Sequence, residues 1–172
     1  MKYFLFFFIF LFLSHNNSSV SAQSSYVLPY PAVMPGSMWY KVDLIQEILE
    51  KYWYFGNFSQ FSYYINLSDK YLIEAKVLFE YKQYLLGINA LKKSDSYYPE
   101  AFEHLQKAKD EGKNITKKRS MLEYAALKHI ELLKKMKNET PSEVIWTPEK
   151  ELPTYILLHD ALDSSMRIRE KI

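Results

Sequence analysis

Three histidines, His104, His129 and His159, hold most of the side-chain chemistry that the sequence offers beyond residue 22. Imidazole can hold a metal or pass a proton near neutral pH, so its neighbours decide what it can do. A di-iron bundle needs a glutamate three residues before its histidines, and those positions are Ala101, Ala126 and Ile156. A helical zinc pair needs two histidines four apart with a glutamate beside the first, and that spacing is absent too. Cysteine does not occur in the 172 residues. In an exported chain this removes a thiol nucleophile, a Cys-zinc site and a disulfide scaffold together. A serine nucleophile sits on a glycine-flanked elbow, yet Gly36, Gly56, Gly87 and Gly112 bracket no serine on both sides.

His129, in "AALKHIELL", stands beside Ala126 and Ile130 and two residues before Glu131. It is expected as a boundary residue with one hydrogen bond, the alternative being a pH-sensitive contact. Paired carboxylates of the glycosidase kind can converge from anywhere in a chain. The acids here fall on polar helix positions, as in Glu47 and Glu50, Asp69 and Glu74, Glu100 and Glu103. No catalytic, cofactor-binding or metal-binding residue is therefore assigned, and no cofactor is expected. A cavity gathering two acids, or His129 meeting an acid, would favour an enzyme.

The elements that would position these groups are helical. Ser37 is placed to cap a helix whose face is Val42, Ile45, Leu49 and Tyr52, with Gly56 at its C-terminal end. Asn57 and Gln60 have the spacing of a capping box, and Tyr64, Leu67, Tyr71, Ala75 and Leu78 form the stripe that follows. "EYKQY" (80–84) turns the chain, after which Leu85, Ile88 and Leu91 resume the period. Pro99 is expected to open a new helix at its first position, where its missing N–H costs nothing. That helix shows Ala101, Phe102, Leu105 and Ala108 on one face and closes at Gly112. Leu122, Ala126, Ile130 and Leu133 mark another, and Tyr155, Leu158, Leu162 and Met166 the last, beyond a loop with Pro141, Pro148 and Pro153. No alternating strand pattern is visible. The expected fold is all-α, a bundle of five to six helices with short connections.

Four segments follow. Residues 1–22 have the form of a signal peptide: Lys2, an apolar run over 3–13, and Val20-Ser21-Ala22 before an expected cut after Ala22. As a helix that run would reach only ~16 Å against a hydrocarbon core of ~30 Å, so no membrane span is expected once it is cleaved. Residues 23–36 are an extended Pro-rich leader, 37–138 the helical domain, and 139–172 a Pro-containing linker and C-terminal helix. Because residues preceding proline favour extended backbone, the leader reads as a strap. Tyr30, Trp39 and Tyr40 are its candidate docking residues, filling a groove between helices. A free tail for partners, or exchange of leaders between two copies to make a homodimer, are the alternatives.

Charge is uneven along the chain. Residues 113–138 carry eight Lys or Arg against two acids, a balance of +6, while residues 139–163 carry six acids against one lysine, a balance of −5. Lys117, Lys118, Arg119, Lys128, Lys134 and Lys135 form a candidate basic face for an envelope polymer or a membrane surface. The plainer reading is that the acidic segment folds back over it. With three arginines and a net charge of +2, nucleic acid is not expected as a partner. The 15 tyrosines read as codon bias and core packing. Asn57, Asn66, Asn114 and Asn138 lie in glycosylation sequons.

"VLPYPAVMPGSMWY", then "FGNFSQF" (55–61), "LSDKYLIEA" (67–75), "YKQYLLGINALKKS" (81–94), "AKDEGKN" (108–114) and "LKHIELL" (127–133) occur in an order that resembles a bacterial extracytoplasmic family, domain of unknown function 5667. The resemblance covers about residues 27–138. Ser68 stands where that family often has alanine and Tyr71 where it often has arginine. It implies export and helicity and supplies no activity. Residues 75–108 also resemble one tetratricopeptide unit, through Ala75, Phe79, Gln83-Tyr84, Ala90, Pro99 and Ala108. The expectation is an exported, non-catalytic module that binds an unknown protein or a cell-envelope component. The alternatives are a polymer or membrane-surface binder acting through residues 113–138, and an enzyme with a dispersed carboxylate or histidine site.

Overall fold

The computed structural model describes residues 25–171, apart from residues 32 and 151. The expected signal peptide lies outside them. Among the described residues five helices and one small hairpin follow in order: α1 (Met38–Trp53), α2 (Asn57–Glu80), α3 (Tyr84–Asp110), α4 (Thr116–Glu139), β1 (Glu143–Trp146), β2 (Thr154–Leu157) and α5 (Leu158–Glu170). The all-α expectation holds, and the hairpin corrects the expectation of no strands. Val144 pairs with Ile156 and Ile145 with Tyr155 in antiparallel register. Val144 and Ile156 pack on the core while Ile145 and Tyr155 face out. Alternation over four residues is too short to stand out from a proline-rich loop in sequence.

The core is a long helical hairpin, α2 against α3, closed by α4 and α5. The turn between α2 and α3 is three residues, with Lys82 at φ 59° and Gln83 N–H bonded back to the Leu78 carbonyl at 2.8 Å. Phe61, Ile65, Leu72 and Ala75 of α2 meet Leu91, Tyr98, Ala101 and Leu105 of α3 in a fully buried layer. Leu122, Ala125 and Leu133 of α4 and Leu158 and Leu162 of α5 seal it. The hairpin closes tightly at Gly87, where an added Cβ would lie 2.5 Å from the Phe79 ring. Only a residue without a side chain admits that approach.

Several sequence expectations are corrected in the helices. Pro99 does not begin a helix; it lies inside α3, which runs unbroken for 27 residues. A proline there removes one backbone hydrogen bond and costs about 3 kcal/mol, and the burial of Tyr98 and Ala101 on either side of it offsets that cost. Gly56 does not end α1 but precedes α2 with φ 80°, and Asn57 and Gln60 form no capping box. Gln60 instead donates from its amide to the Lys51 and Tyr54 carbonyls at the end of α1, tying the two helices together. In α4 the buried face is Leu122, Ala125, His129, Leu133 and Met136, one residue round from the expected stripe of Ala126 and Ile130. The last helix likewise buries Leu158, Leu162, Ser165 and Arg169, while Tyr155 stands exposed in β2 and Met166 is half-buried.

Candidate functional site

The rotation of α4 puts His129 in the middle of the bundle with no solvent exposure. Its Nδ1 lies 3.0 Å from Arg169 Nε, and its Nε2 lies 2.7 Å from Asp69 Oδ1. A guanidinium only donates, so Nδ1 must accept and the proton must sit on Nε2, donated to Asp69. The ring is therefore neutral. Burial depresses its pKa below the ordinary 6.5, against the opposing pull of Asp69. Arg169, itself buried, donates from Nη1 to Asp95 at 2.5 Å and from Nη2 to Ser94 at 2.7 Å. The Ser94 hydroxyl donates to the Ser68 carbonyl at 2.7 Å, so the network crosses α2, α3, α4 and α5. His129 is thus no boundary residue with one bond, and that expectation is corrected. Arg169 was legible in principle, because it continues the spacing of Leu158, Leu162 and Ser165 by four. Asp69, Ser68 and Ser94 have no comparable signal.

The leader joins the same network. The Tyr26 hydroxyl donates to Asp69 Oδ2 at 2.5 Å, and Met34 packs on the core. Burial beside that carboxylate pushes the Tyr26 phenol well above its ordinary pKa. Of the three residues expected to dock the leader, Tyr30 is 95% exposed and Trp39 70% exposed. Tyr40 alone touches the body, donating to Glu74 at 3.0 Å. The contact sequence reasoning missed is Tyr26, the residue immediately ahead of the expected run.

A second cluster holds α1 in place. Lys70 of α2 reaches Asp43 and Glu47 of α1. Tyr71 donates to Glu47 at 2.7 Å, and Tyr63 donates to the Glu47 carbonyl at 2.8 Å. Asp43, Glu47, Glu50, Tyr63 and Lys70 line an open cavity of about 220 Å³ beside this joint. Burial raises the Glu74 carboxyl above the ordinary range, with Tyr40 and two lysines opposing.

Because the polar side of α1 faces the bundle, its apolar side faces solvent. Met38, Trp39, Val42, Ile45, Ile48, Leu49, Tyr52 and Trp53 are all more than half exposed, and Phe55 continues the patch. The stripe of Val42, Ile45, Leu49 and Tyr52 read from the sequence is this outer face.

The candidate basic residues do not share one side of α4. Lys118 turns inward, donating to Ser62 at 3.1 Å and lying over the Phe61 ring. Arg119, Lys128 and Lys135 are set against Glu123, Glu131 and Glu139 of the same helix. Lys117 and Lys134 are exposed. The acidic segment does return to α4, since Lys137 pairs with Asp163 at 2.7 Å. Among the described residues no helix is long and apolar enough to cross a membrane. Compared with protein-family models, with curated proteins and with solved structures, the chain matches none.

Proposed function

We propose that this chain is an exported, non-catalytic helical module that binds another protein through the outer face of α1. The observation that carries the reading is the row of large apolar side chains from Met38 to Trp53, left in water while the acids of the same helix are turned inward. Contiguous exposed apolar surface of this extent marks interaction sites on folded proteins. Export rests on the apolar run over 3–13 and on Val20-Ser21-Ala22, and the resemblance to an extracytoplasmic family supports it.

The non-catalytic part rests on how the reactive groups are employed. Both arrangements that would favour an enzyme occur, His129 against Asp69 and several acids around one cavity. His129 and Asp69 are sealed from solvent and spend their polar atoms on Arg169, Tyr26 and each other. Asp43 and Glu47 share Lys70 and Glu50 accepts from Gln46, so each acid lining that cavity is already engaged.

The test is site-specific photocrosslinking in the cell that makes the protein. A benzophenone side chain replacing Ile45 should give a discrete covalent adduct, and one replacing exposed Lys109 on α3 should give none. Absence of an adduct at position 45 would remove the reading.

A further inference from the structure

The face left open on α1 has a size, a spacing and an anchorage that together narrow what can cover it. Nine large apolar side chains, each more than half exposed, offer on the order of 1,000 Å² if each contributes a little over ~100 Å². The largest apolar patch on an ordinary monomer is ~300–600 Å². A stable interface between two folded chains buries ~800 Å² on each. The α1 face is thus oversized for a monomer and matched to one side of a dimer.

Spacing narrows it further. Met38, Val42, Ile45, Leu49 and Tyr52 recur at intervals of four, three, four and three. That is the heptad seam by which one helix packs along another, knobs into holes. The described residues leave this seam uncovered. Rolling α1 about its own axis to bury the seam would pull Asp43 and Glu47 off Lys70 and strand the hydroxyls of Tyr63 and Tyr71. A lipid surface fits less well, because interfacial helices carry Lys and Arg on the polar face. Here the charged positions are Asp43, Glu47 and Glu50 against Lys41 and Lys51, with acids in excess.

Resting on the reading of α1 as a binding face, we propose that its partner is a second copy of this chain. Two α1 helices pack seam to seam across a two-fold axis, each copy presenting the same patch to the other. Ile45, midway along the seam, sits nearest the axis. Trp39, Ile48 and Trp53 flank the seam and close its edges against water.

Sedimentation equilibrium of the full chain at micromolar concentration tests this. The expected mass is twofold that of one chain, falling to one chain in Ile45→Glu and in Leu49→Lys. Leu152→Glu, changed at an exposed apolar residue outside α1, should keep the double mass. Both α1 variants alter solvent-facing positions, and retained helical circular dichroism shows that they fold. A single-chain mass for the unaltered protein overturns the proposal, and so does a double mass that survives both α1 changes. The crosslink at position 45 separates the two levels. A monomer that still gives an adduct has a different protein on α1, which overturns the second copy and keeps the binding face. A monomer that floats with mixed phosphatidylcholine–phosphatidylglycerol vesicles, and loses this in Ile45→Glu, overturns both readings.

Discussion

His129 receives an N–H from Arg169 on one ring nitrogen and gives one to Asp69 from the other. Protonating it would set a new N–H against the guanidinium, so the folded protein resists the proton that an unfolded chain accepts near pH 6.5. With the folded pKa depressed, the unfolded state binds more protons in acid, and stability is whole above pH 6.5 and falls below it. A single such group contributes up to ~1.4 kcal/mol per pH unit. Thermal unfolding measured between pH 7 and 5 should show this slope, and His129→Gln should flatten it. Glutamine supplies an amide N–H to Asp69 and an oxygen to Arg169 without titrating. An equal slope in the variant would mean that another group carries it. His104, also depressed by partial burial, acts with the same sign and is left unchanged in that comparison.

The helices α2 and α3 meet so closely near their turn that the ring of Phe79 lies where a Gly87 side chain would be. Gly87→Ala improves helix propensity by ~1 kcal/mol, but forcing a methyl group against a buried ring costs ~1–3 kcal/mol. Phe79 is only 3% exposed and its ring is set edge-on against Tyr84, so overpacking should win. Denaturant titration should find Gly87→Ala less stable than the parent, and a more stable variant would show that the hairpin can open there. Helix α1 illustrates the opposite situation. Its position is set by ion pairs and tyrosine hydroxyls, with the apolar face taking no part in docking it.

Across the whole molecule, the leader holds the bundle at one well-defined point. Removing residues 23–36 takes the Tyr26 donor from Asp69 and uncovers the surface under Met34. A buried carboxylate oxygen that loses its donor costs ~1–3 kcal/mol. In a chain of this size each kcal/mol is worth ~2–4 °C. The protein spanning 37–172 should therefore melt roughly 2–12 °C below 23–172. Tyr26→Phe should reproduce part of the loss, whereas Tyr30→Phe should leave the melting temperature where it was. Equal melting temperatures for the two lengths would make the leader a free tail.

The sequence by itself determined the helical class, the cap at Ser37, the turn at 80–84 and the stripes that became the hydrophobic core. These depend on local spacing and on side chains that have only one comfortable place to go. It also showed which metal and nucleophile patterns are missing, because those need particular residue types at fixed intervals. Tertiary structure decided the rest. The one-residue rotation of α4 that buries His129 follows from Asp69 and Arg169, which lie 60 and 40 residues away in the chain. No local pattern encodes that meeting. Pro99 continues a helix because Tyr98 and Ala101 beside it are held in the core, and Tyr26 docks because a carboxylate waits on another helix. The outward turn of α1 was hidden for the same reason. An amphipathic stripe tells which residues share a face, and only the partners of its polar side tell which way that face points.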